Sequence, residues 1–165
     1  MDDLELKKIH LDAVDAAIEK AEHYRLLNDP AQAESICLDV LAVVSDDQRA
    51  KRIIVLALTD QFADKATSSR VKLARKHAST LTDEYEQHYY CALVWEREAH
   101  AYLAKGLHGS FAYECFEEAM QGFEKATELR PEGHDDPILR WNSCLRTVQG
   151  LGLEPRGPEE ELPLE

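Results

Sequence analysis

From Met1 to Lys105 the chain contains no glycine, and between Ala31 and Arg130 it contains no proline. These two residues mark most turns and strand edges, so a stretch this long without them disfavours a sheet with its many tight reversals. Alanine is frequent and no segment alternates apolar with polar residues, which points the same way. Ile53-Ile54-Val55-Leu56-Ala57-Leu58 is the one run that would suit a buried strand. No Gly or Pro bounds it and no other strand-like segment exists to pair with it. It reads as a helix buried on several sides.

Read by period, the chain is all-α with about seven helices. The first covers about residues 9–27, with Leu11, Val14, Ile18 and Ala21 spaced three, four and three apart. Asn28-Asp29-Pro30 breaks it and starts a second, with Asp29 as N-cap and Pro30 as the first helical residue. That helix reaches about Val44. Ser45-Asp46-Asp47 opens a third to about Phe62, and a fourth covers roughly Ser69 to Thr80. Thr82-Asp83-Glu84 opens a long fifth that runs to Lys105, where Gly106 stops it. Ser110 is expected to cap the sixth, to Leu129, with Phe116, Ala119, Phe123 and Ala126 on one stripe. Asp136-Pro137 opens the seventh, carrying Ile138, Trp141, Leu145 and Val148.

This divides the chain into one helical domain, residues 1–149, and a tail, residues 150–165, that carries three of the six prolines and five acids against one Arg. Such a composition reads as an acidic disordered tail. The whole chain has 165 residues, 44% of them hydrophobic, which is enough for a sizeable core. Its net charge of −13 disfavours phosphate backbones and anionic lipid as partners. No apolar run approaches the roughly 18 residues of a spanning helix, and the acidic N-terminus does not resemble a signal peptide. A cytoplasmic protein without nucleic-acid or membrane partners is expected.

A spacing lies beneath the helices. Trp95, Glu98, Ala99 and Tyr102 follow Trp-x2-Leu-Gly-x2-Tyr with Glu98 at the Leu position, and Ala119, Phe123, Ala126 and Pro131 follow Ala-x3-Phe-x2-Ala-x4-Pro. The first helix pair carries a weaker version in Ala21, Tyr24, Ala33, Cys37, Val40 and Ser45. The middle pair keeps apolar Val55, Leu58, Val71 and Ala74 but lacks the signature residues. On these residues the chain resembles a tetratricopeptide-repeat protein. The resemblance implies three helix pairs in a right-handed superhelix, with repeats at about 14–47, 48–81 and 92–131 and a capping helix at 137–149. The two halves of the third repeat stand eight residues too far apart, so its second helix is expected to be extended at its start.

Catalytic and metal motifs are missing. Cys37, Cys91, Cys115 and Cys144 form no Cys-x2-Cys pair, and Cys37 and Cys144 lie on apolar stripes as small core residues. The seven histidines make no His-x-His, His-Glu-x2-His or Glu-x2-His pattern. Glu19 with His23, Glu84 with His88, and Glu96 with His100 read as surface contacts one turn apart. Phosphate-binding glycine loops and a serine elbow are absent too. Tyr85, Tyr89, Tyr90 and Trp95 read as packing rather than as a base-stacking platform. No cofactor, no metal and no catalysis are expected.

What the resemblance implies is a binding scaffold whose first helix of each pair lines a groove for a partner peptide or helix. Groove-facing positions would be Asp15, Ile18, Glu19, Glu22 and Arg25, then Arg49, Arg52, Ile53, Leu56 and Asp60, then Leu93, Glu96, Arg97 and His100. Within them Arg49, Arg52 and Arg97 form a small basic cluster flanked by Ile53 and Leu93, with His100 beside it. Arginine grips carboxylates with two prongs, so an acidic or C-terminal ligand would suit that cluster. These arginines could equally pair with Glu19, Glu22 and Glu96. The family's Lys/Asn carboxylate clamp is not present at these positions. Two other readings are a homo-oligomeric structural protein, such as a homodimer, and a small-ligand sensor or cryptic enzyme with a pocket between the fifth, sixth and seventh helices, using His100, Arg140 and nearby carboxylates. Leu162-Pro163-Leu164-Glu165 could also act as a short docking peptide.

Overall fold

The computed structural model describes residues 4–64 and 67–158, and every regular element among them is helical. A single 3-10 turn, Leu11–Ala13, leads into α1 (Val14–Leu26), so the first α-helix starts later than its apolar spacing implies. There follow α2 (Pro30–Val43), α3 (Gln48–Thr59), α4 (Thr67–Ser79), α5 (Glu84–Ala104), α6 (Gly109–Leu129) and α7 (Asp136–Leu151).

Short acidic side chains start three of these helices as the sequence suggests. The Asp29 carboxylate accepts from the Gln32 N–H at 3.2 Å, with Pro30 in the first turn; Asp47 accepts from Ala50 at 3.0 Å and Asp83 from Glu86 at 2.9 Å. Asn28, at φ 61°, turns the chain between α1 and α2 in the left-handed region that asparagine tolerates. At α6 the expectation fails. The cap is His108, whose Nδ1 accepts from the Ser110 N–H at 3.3 Å, and Ser110 lies buried in the first turn.

Consecutive helices pack on one another through short connections, and α1, α3 and α5 also touch in sequence, forming a common face. An interval recurs in the side-chain bonds between units. Arg49 bonds Asp15 at 2.8 Å, Arg52 bonds Glu86 at 3.1 Å, and the Thr82 N–H donates to Gln48 at 3.0 Å, each 34 residues apart. Arg25 bonds Asp60 at 2.8 Å over 35 residues, and Arg70 bonds Glu34 at 3.0 Å over 36. By the same interval Gln48 at the start of α3 corresponds to Thr82, just before α5.

The third pair differs in length. Its helices have 21 residues each, against 12 to 14 in α1 to α4. At 1.5 Å per residue the surplus is about two turns. Both helices share it, in keeping with a long fifth helix ending near Lys105 and a sixth extended at its start. They approach closely: a Cβ on Gly122 would stand 2.8 Å from the Ala92 Cβ.

The buried residues form two clusters. One spans α1 to α4 with Val14, Ile18, Val40, Ile54, Leu58, Phe62 and Val71, and reaches Val94 and Ala101 on α5. The other lies among α5, α6 and α7 with Leu93, Phe116, Ala119, Phe123 and Cys144. Val55 and Ile54 are fully buried within α3, in keeping with a helix covered on several sides. The tail boundary drawn at Gly150 falls inside α7. Beyond it Gly152 reverses the chain at φ 60°, and Leu153 and Arg156 lie against α6. Residues 159–165, including the Leu162–Glu165 segment, lie outside the described residues.

Candidate functional site

The six residues expected to face a partner are separated by the fold. Ile53 and Leu93, at 5% and 1% exposure, belong to the core and offer no surface. Ile18 and Glu96, also placed on the groove by spacing, are buried too. Arg49 and Arg52 sit near the start of α3 and are neutralised there, though not by Glu19, Glu22 or Glu96. Arg49 is held by Asp15 at 2.8 Å and Asp47 at 3.0 Å, and Arg52 by both oxygens of Glu86 at 3.1 Å. Burial pushes the Asp47 carboxyl up, but the bonds from Arg49 and the Ala50 N–H outweigh it and hold the group below its ordinary range.

Arg97 and His100 come together further along the same face. They line a cleft of about 540 Å³ whose walls include Arg25, Thr59, Asp60 and Ala104. Three helices build it: the end of α1, the end of α3 and the second half of α5. Arg25 and Asp60 close one side as an ion pair at 2.8 Å. Arg97, half-buried, has no hydrogen bond or ion pair among the described residues. The His100 ring stands edge-on to Phe116 at 5.2 Å. Partial withdrawal from water, then the charges of Arg97 and Arg140, push its pKa below the usual histidine value, so the ring is neutral near pH 7.

Behind this cleft Glu96 is 3% exposed, with Arg140 of α7 at 3.6 Å and its Oε2 without a hydrogen-bond partner. Burial raises its carboxyl pKa against the pull of Arg140 and Arg97. The groove between α6 and α7, about 260 Å³, is lined by Tyr113, Met120, Trp141 and Leu145 and holds neither His100 nor Arg140.

Other assignments resolve individually. All four cysteines are free, and Cys37 and Cys144 are core residues. Of the three acid–histidine pairs, Glu84 and His88 form an ion pair at 3.9 Å; among the described residues the other two make no such contact. Tyr89 packs on Phe123 at 5.8 Å and on Tyr90 at 5.3 Å, and Trp95 lies apart beneath Arg75, so the aromatics make no single platform. Sequence reasoning missed buried Lys51, which donates to Asp46 at 2.6 Å and to the Thr80 carbonyl at 3.1 Å. It also missed that Arg25 and Asp60 bond each other, for which opposite charges about one repeat apart would have been the signal. Among the described residues no group of three or more His, Cys, Asp or Glu could hold a metal ion, and no helix is long and apolar enough to cross a membrane. Comparison with protein families, with characterised proteins and with solved structures finds no match to this chain.

Proposed function

We propose that the chain is a non-catalytic scaffold whose α1–α3–α5 face takes a carboxylate-bearing peptide from a protein partner. Arg97 is the observation that carries this reading. Arg25, Arg49 and Arg52 each have an acid on the same face, whereas Arg97, which lines the cleft of about 540 Å³, makes no hydrogen bond or ion pair among the described residues. A guanidinium with no acid partner among the described residues offers a carboxylate two parallel donors. A tetratricopeptide-like stack is the architecture this reading adopts. It draws support from the 34-residue interval of the bonds between α1, α3 and α5 and from the contact among those three helices.

Selection of displayed peptides with free C-termini against the full chain tests the proposal. The expected outcome is enrichment of sequences rich in Asp and Glu near a free carboxyl end, lost against Arg97→Glu. Enrichment that persists against that variant, or no enrichment at all, overturns it.

A further inference from the structure

On α5, Trp95, Glu98 and Tyr102 fall about half a turn of the helix away from Arg97 and His100, where α5 meets α4 and α6. With Phe111, Glu114 and Glu117 of α6 they bound a separate cleft of about 380 Å³. Its walls are aromatic faces and carboxylates, the two surfaces that attract a cation. Two guanidiniums of this chain already sit on its rings. Arg75 lies over Trp95, 3.6 Å from the ring centre, and pairs with Glu98. Arg156 lies over Phe111 at 4.7 Å and bonds Glu114 at 3.3 Å. The Tyr102 hydroxyl donates to Glu98 at 3.2 Å and orients that carboxylate. Glu117 and Glu118, both exposed, have no hydrogen bond or ion pair among the described residues.

The two arginines are held differently. Arg75 belongs to α4 and is bound by a carboxylate only 11% exposed. Arg156 arrives on the segment that follows α7. The Leu153 N–H bonds the Val148 carbonyl at 3.0 Å after the reversal at Gly152. The Leu153 side chain then lies over Gly109, where a Cβ would stand 3.2 Å away. One 3.3 Å bond and one ring face hold the guanidinium itself, so another guanidinium can displace it.

We propose that this cleft receives an arginine side chain of a basic partner segment, and that Arg156 is the intramolecular stand-in for it. The flat guanidinium stacks on an aromatic face while its N–H groups reach carboxylates at the rim, which an ammonium does less well. This site does not depend on the Arg97 cleft.

Fluorescence polarisation of a labelled Arg-Gly repeat peptide, with the full chain at physiological salt, tests it. Arg156→Ala frees the site and strengthens binding about fivefold, because the competent state is no longer partly occupied. Glu114→Gln/Glu117→Gln, both at exposed positions that leave the core intact, weakens binding about tenfold. Glu19→Gln/Glu22→Gln removes the same charge from α1 and changes it less than about twofold, which separates the cleft from general attraction to an acidic protein. The corresponding Lys-Gly peptide binds at least about threefold more weakly. Unchanged affinity in Arg156→Ala, equal losses in the two Glu pairs, or equal binding of the Lys peptide each overturns the proposal.

Discussion

The first two helix pairs and the third are held together by different means. In α1 to α4 the helices are short, and side-chain ion pairs about one unit apart tie each helix to its counterpart: Asp15 to Arg49, Arg25 to Asp60, Glu34 to Arg70. In α5 and α6 the helices are two turns longer, and close backbone approach at Ala92 and Gly122 with a row of alanines and phenylalanines does the work. Charged rungs set the register between units but are worth little individually in water. Small-residue packing within one hairpin is far less tolerant of change. The α1–α4 half repeats at a near-constant interval, while α5 of the long hairpin contributes to both clefts, one shared with α1 and α3 and the other with α6.

Substitutions can break or sharpen that contrast. Phe123→Asp, which puts a charge at a fully buried position, should cost about 4 kcal/mol or more. Native-state hydrogen exchange should show α5 to α7 losing protection first; uniform loss along the chain would mean the halves are not distinct. Gly122→Ala should cost about 1–3 kcal/mol by overpacking against Ala92, with partial recovery in the Ala92→Gly background, read by chemical denaturation.

Glu96→Gln acts through pH. Burial raises the folded-state pKa of Glu96, so its favourable contribution is present below the unfolded value near 4.5 and is lost as pH rises through the raised one. Removing the charge should therefore stabilise the protein by on the order of 1 kcal/mol at pH 7.5 and bring no gain near pH 4. Melting curves at the two pH values check this, and equal effects at both would contradict it. The smallest effect belongs to the rung between the two halves. A double-mutant cycle on Arg52 and Glu86 should give a coupling of about 0.5 kcal/mol that shrinks in high salt.

Helix placement was readable because the signals are local. Asp29-Pro30, Asp47 and Asp83 cap through their own next turn, and no distant contact competes with them. His108 escaped notice because an imidazole nitrogen rarely takes that role, and the nearby serine was the more usual choice. The groove was only half legible. Three-and-four spacing puts Ile53 and Leu93 beside their charged neighbours on a helical wheel. A helix packed against several others, however, buries a wider arc than the wheel assigns to its inner face. Which arginine stays unpaired depends on the acids of the neighbouring units. Arg52 meets Glu86 across 34 residues while Arg97 meets no acid among the described residues, and no pattern within one helix carries that information.

The most direct test of the functional account is calorimetric titration of one selected peptide in two forms, with its carboxylates intact and with them converted to carboxamides. The carboxylate form should bind wild-type protein at least about tenfold more tightly, a difference of about 1.4 kcal/mol, and that difference should vanish in an Arg97→Glu variant of unchanged melting temperature. Equal binding of the two forms, or a preference that survives the substitution, would contradict the assignment of Arg97 as the anchor.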